Sequence, residues 1–202
     1  MLPRFESASQ TSGPYVHIGL VPSRAGIQQS PIVTHDLCIQ GVPETALAVE
    51  ISGRVLDGSG SPIYDAVVEI WQADHQGLYH RFSNSGFRGW GRSAIDKDDG
   101  RYCFKTIKPG SVACRNEIWM APHLAFWIVA RGINLGLNTR MYFPEDLDLH
   151  QADPVLNTIE IKQRRSTLIA RRAGDASGDS LLSKYHFDIV IQGEKETVFF
   201  DI

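Results

Sequence analysis

Along this chain, short β-branched and aromatic runs alternate with clusters of turn-forming residues. The strongest run is Leu124-Ala125-Phe126-Trp127-Ile128-Val129-Ala130, entered through Pro122 and His123. On a strand, successive side chains point to opposite faces, so His123, Ala125, Trp127, Val129 and Arg131 share one side, and Leu124, Phe126, Ile128 and Ala130 the other. Upstream, residues 46–56 and 66–72 read as two further strands, joined through the turn cluster Asp57-Gly58-Ser59-Gly60-Ser61-Pro62. A turn at Asp96-Lys97-Asp98-Asp99-Gly100 feeds a strand over 101–106, another starts at Thr139, and residues 145–150 suggest a short helical turn. Residues 185–191 and 197–202 alternate as two closing strands. The pattern predicts an all-β fold, a mostly antiparallel β-sandwich with long loops and minor helix.

Residues 1–45 break that rhythm with Pro3, Gly13, Pro14, Pro22, Gly26, Pro31, Gly41 and Pro43. They read as an N-terminal arm, although Tyr15-Val16-His17-Ile18-Gly19-Leu20 is apolar enough to need a surface. The β-sandwich domain is assigned to 46–202, with no internal repeat. Residues 75–100 are rich in Gly, Ser, Asn and Arg but carry Tyr79, Phe82, Phe87 and Trp90, which favours a packed loop over disorder. Gly174 to Ser180 reads as an exposed turn.

Composition narrows the function classes. A chain of 202 residues, 43% hydrophobic and 21% charged, fits one domain whose core needs no disulfide or metal staple. A formal charge of -3 excludes a broad basic face and with it nucleic acid as a partner. No apolar run approaches the ~20 residues of a membrane span, and the first residues lack a signal peptide's apolar core, so the expected home is the cytoplasm. Cys38, Cys103 and Cys114 have no metal-binding spacing and read as reduced thiols. The seven histidines form no HxH or HExxH cluster. Glu69, between Val68 and Ile70, reads as an acid paired structurally, because a single buried carboxylate specifies no reaction. The aspartates at 96–99 lack the closing glutamate of a calcium loop, so the turn reading stands.

Several separated blocks share one resemblance. Ile51-Ser52-Gly53-Arg54-Val55, Gly60, Ile63, Val68-Glu69-Ile70-Trp71-Gln72-Ala73-Asp74, Gly77-Leu78-Tyr79, Thr106-Ile107-Lys108-Pro109-Gly110 and Pro122-His123 occur in one order. This order resembles the signature of the intradiol ring-cleavage dioxygenases. The likeness runs from Ser9-Gln10-Thr11 to Gln192-Gly193-Glu194 and Thr197-Val198-Phe199-Phe200-Asp201.

That resemblance implies a ferric site of two tyrosines and two histidines, and here the chain departs from it. Val112 stands where one tyrosine is expected. His123 matches one histidine, but Ala125 replaces the other, and no counterpart of the second tyrosine is evident between Tyr79 and Arg92. Ferric iron favours anionic oxygen donors, and a lone imidazole does not retain it. His123 therefore reads as a vestigial ligand position, with no catalytic residue or metal ligand expected on this chain and with Val112, Ala125 and Trp127 suited to fill the space. The resemblance is to the alpha-type chain of two-chain members, which implies Fe(III) bound by a partner beta chain in a large alpha-beta hetero-oligomer. The assembled enzyme would open 3,4-dihydroxybenzoate with O2 to 3-carboxy-cis,cis-muconate. The arm would pack on the beta chain, with Thr11, Gly13, Pro14 and Tyr15 walling its pocket and Arg131 facing the substrate side, where the planar guanidinium can pair an anionic ring substituent. Two other readings stay open. One is an autonomous dioxygenase using unmatched residues such as Tyr79, His80 or Tyr102; the other is a non-enzymatic β-sandwich binding module.

Overall fold

A computed structural model describes residues 11–28, 34–38, 41–80, 87–114, 117–173 and 182–201. Ser9, Gln10, Phe82 and the expected turn at 174–180 lie outside them. In chain order the regular elements are helix α1 (Val16–Leu20) and strands β1 (Ala48–Gly53), β2 (Val55–Leu56), β3 (Val67–Trp71), β4 (Trp90–Ala94) and β5 (Tyr102–Ile107). There follow β6 (Val112–Ala113), β7 (Trp119–Met120), β8 (His123–Val129), β9 (Leu137–Tyr142), helix α2 (Leu147–Ala152), β10 (Arg171–Arg172), β11 (Ser183–His186) and β12 (Ile189–Val190).

Two four-stranded sheets, ordered β10-β11-β1-β5 and β4-β3-β8-β9, face each other, and two-stranded pieces β12-β2 and β6-β7 complete the structure. All pairings are antiparallel except β1 with β11 and β2 with β12. The core is built from alternating inward positions of both sheets: Val49 and Ile51 of β1 and Tyr102 and Phe104 of β5 meet Val68 and Ile70 of β3 and Leu124, Phe126 and Ile128 of β8. Burying a large apolar side chain stabilises by about 1.5–3 kcal/mol, so this interlayer contact dominates the fold. The expected all-β sandwich is therefore what the chain forms.

Four local expectations change, the first being that residues 75–100, expected as one long loop, contain strand β4, paired with β3. The strand expected over 46–56 divides at Arg54, whose N–H donates to Asp188 Oδ1 at 2.9 Å, so β1 and β2 join different sheets. The strand expected over 185–191 divides in the same place, between β11 and β12. Residues 197–201 form no named strand but only an isolated bridge, Phe200 to Asn138. There Thr139 Oγ1 donates to the Val198 carbonyl at 2.7 Å, anchoring the segment by a side chain rather than a ladder.

The start of the described chain packs on its own sandwich. Val16, Leu20 and Val21 lie against Val67, Val129 and Trp127, covering one end of the outer face of the β4-β3-β8-β9 sheet. The rest of that face carries the second of two candidate sites, the first lying where the arm meets the turn after β8.

Candidate functional sites at the arm and on the outer sheet face

The turn after β8 positions the first group. Gly132, with φ 86°, is in the left-handed region that glycine tolerates, and it ends the strand. The arm is stitched to this turn in both directions: Gly132 N–H donates to the Ser12 carbonyl at 3.0 Å, and Ser12 N–H to the Ile133 carbonyl at 3.3 Å. Thr11 Oγ1 donates to Asn134 Oδ1 at 2.6 Å. Gly13 and Tyr15 carbonyls then accept the first N–H groups of α1. The structure thus fastens Thr11 and Ser12 to the turn directly after Arg131, more than a hundred residues away in sequence, with Gly13, Pro14 and Tyr15 next along the arm. Tyr15 is 75% exposed. Arg131 is exposed as well and pairs with Asp65 at 3.3 Å through Nε, which leaves its Nη groups without a carboxylate among the described residues.

A second group lies where the resemblance places metal ligands. β6 pairs with β7, setting Val112 opposite Met120. Arg140 of β9 donates through Nη1 to Met120 Sδ at 3.3 Å, and it stands directly across from Ala125 of β8. In the next row His123 stands opposite Tyr142, their rings 5.8 Å apart. Val112 is thus linked through Met120 and Arg140 to Ala125, with His123 one row away on the same face of β8. Tyr79, matched to no ligand in the sequence, reaches the same place: the charge of Arg140 bears on its hydroxyl, although burial is the larger influence and raises its pKa. The signal that could have found it was its position after Gly77-Leu78 in a matched block.

The protonation states follow from burial. His123 is 2% exposed; its Nδ1 bonds the Ala121 carbonyl at 2.7 Å, while Nε2 has no hydrogen-bond partner. Burial, reinforced by Arg140, lowers its pKa to about 4, so the ring is neutral near pH 7 and Nε2 is an acceptor. The Tyr142 hydroxyl donates to Asp153 Oδ1 at 3.2 Å, and burial with that carboxylate pushes its pKa up. Asp153, fully buried, also accepts from the N–H groups of Ala121, Val155 and Leu156 at 2.8–2.9 Å.

Iron does not fit these residues. Two ligand positions, Val112 and Ala125, carry no donor, the tyrosines nearby hold their protons, and a guanidinium stands among them where a cation would bind. Among the described residues no cluster of three His, Cys, Asp or Glu suits a metal. Nor is the space simply filled, since Ala125 keeps partial exposure. The unmatched candidates are placed elsewhere: Tyr102 is fully buried with its hydroxyl on the Phe187 carbonyl, and His80 bonds the Phe87 carbonyl at 3.1 Å. Glu69 is structural as expected, held by Arg92 at 2.5 Å and Trp90 Nε1 at 3.1 Å. The Asp96 carboxylate caps its own turn through the N–H groups of Asp98 and Asp99. The described cysteines are free.

A family model with the description "Dioxygenase" matches residues 20–193. The chain belongs to the intradiol dioxygenase family. This dioxygenase chain is 42% identical over 200 residues to the protocatechuate 3,4-dioxygenase alpha chain of Pseudomonas putida, covering 97% of this chain and 96% of that one. It is also 35% identical over 158 residues to the protocatechuate 3,4-dioxygenase beta chain of Burkholderia cepacia, covering 74% of this chain and 66% of that one. Among solved structures, the intradiol ring-cleavage dioxygenase of Tetranychus urticae shares the fold with a TM-score of 0.55 at 15% identity, over 90% of this chain and 92% of that one. No described helix is long and apolar enough to cross a membrane.

Proposed function

We propose that this chain is the alpha subunit of a protocatechuate 3,4-dioxygenase, closing one wall of a pocket whose Fe(III) is held by a catalytic beta chain. The observation that carries this reading is the ligand neighbourhood: it is assembled in space, yet it lacks two donors and contains Arg140. The full-length likeness to an alpha chain supports it independently. Iron on the beta chain supplies the dioxygen chemistry that opens 3,4-dihydroxybenzoate to 3-carboxy-cis,cis-muconate.

The contribution of this chain is positioning and exclusion of water. Thr11, Gly13, Pro14 and Tyr15 form a ridge fastened to the β8 turn, and Arg131 stands beside it with donors to spare for the substrate carboxylate. A Cβ added at Gly13 would meet nothing within 4 Å, so the fold of this chain does not require glycine there. Close approach of a ligand or partner does. Tyr15 on the ridge and Leu135 shortly after the β8 turn, exposed at 75% and 70%, give a hetero-oligomer interface apolar area to bury.

Co-expression with a beta-type chain tests the proposal. The complex is expected to contain iron and cleave 3,4-dihydroxybenzoate, whereas this chain alone does neither. Stoichiometric iron and ring cleavage by the solitary chain would overturn it, as would a complex no more active than the beta chain by itself.

A further inference from the structure

The outer face of the β4-β3-β8-β9 sheet carries a feature the wall function does not use. Strand pairing aligns Trp90, Trp71, Ala125 and Arg140 in one row across the four strands, all on the same side. Neighbouring strands lie about 4.8 Å apart, so Trp71 and Arg140 flank the Ala125 methyl at a Cα separation of roughly 10 Å, about the space of one aromatic ring. Trp71 is 52% exposed, and its ring is braced by Trp90 at 6.1 Å between centroids.

The polar groups around this trough favour an anion. No carboxylate pairs with Arg140 among the described residues; it meets the Met120 thioether and the Tyr142 hydroxyl. The nearest acids are already engaged, Glu69 by Arg92 and Trp90, and Asp153 by four donors. A half-buried guanidinium with only weak partners gains most from a carboxylate, which it can bind through two parallel hydrogen bonds. At one side of the trough His123 Nε2 is buried and lacks a partner, so it calls for a hydroxyl donor.

We propose that the former metal position is a binding site for a hydroxylated aromatic carboxylate, with the carboxylate on Arg140, the ring over Ala125 against Trp71, and a ring hydroxyl donating to His123 Nε2. Arg140 supplies positive charge where the resemblance expects a metal, so the arrangement suits a free anion rather than a cation. No bond is made or broken there. Binding rather than turnover reports the site.

The probe is 3-hydroxybenzoate, titrated into the full-length chain, or into the complex if the chain is isolated as one, with calorimetric stoichiometry and tryptophan fluorescence as readouts. Binding is expected to quench fluorescence, and Arg140→Gln to weaken this site at least about tenfold. Ala125→Leu, which keeps Arg140 but fills the trough, is expected to remove one equivalent of bound probe, while Arg131→Gln leaves the site intact. If Arg140→Gln does not fold, judged by thermal unfolding, Ala125→Leu decides. Unchanged stoichiometry and affinity in folded Ala125→Leu, or no binding to the wild-type chain, overturns the proposal.

Discussion

Acid should cost this protein stability through His123 before most carboxylates titrate. In the folded chain the ring is buried beside Arg140, and its pKa is lowered to about 4; in the unfolded chain it returns to 6.5. The folded state therefore resists a proton that the unfolded state accepts. The contribution of the neutral ring is fully present above the unfolded value and is lost as pH falls from 6.5 towards 4. One pKa unit is about 1.4 kcal/mol, and lowering the pH to about 5 crosses roughly 1.5 units of that window, which gives a loss of about 2 kcal/mol. Urea unfolding of the wild type and His123→Gln at about pH 7.5 and about pH 5 isolates the effect, because all other groups titrate in both proteins. The wild type should lose about 2 kcal/mol more than the variant between the two conditions. Equal losses would mean that the imidazole titrates normally in the folded state and would refute the burial argument.

Other substitutions separate site from scaffold. Arg131→Ala in the assembled enzyme should raise KM for 3,4-dihydroxybenzoate about tenfold but leave KM for catechol nearly unchanged, since only the former offers a carboxylate; equal effects would show that Arg131 recognises none. Its stability cost should stay under about 1 kcal/mol, because the pair with Asp65 is solvent-exposed. Asp153→Ala strands the N–H groups of Ala121, Val155 and Leu156 and should cost about 3 kcal/mol or more in urea unfolding. Gly53→Ala places a Cβ 1.8 Å from the Phe187 carbonyl oxygen, a backbone atom that cannot swing aside, so a loss of about 3 kcal/mol or insoluble expression is expected.

The β-branched and aromatic runs of β1, β3 and β8, punctuated by turn residues, were enough to predict a sandwich, because such runs must be buried against a second layer. Through their matched flanks, Val112, His123 and Ala125 are also marked in the sequence as the places where the resemblance expects ligands. Sequence could not show that Arg140 stands across from Ala125, since strand register depends on pairing between segments and shifts every face when it slips by one. The closing strand expected over 197–202 does not form at residues 197–201, because alternation makes a strand only where an edge is available, and Phe200 finds one bridge. The chain's order thus determined the sandwich, the broken ligand set and the arm's composition. Only the folded sheet decided that the turn after Arg131 meets the arm and that the Arg140 guanidinium stands across from Ala125, because both depend on long-range pairing that local pattern does not encode.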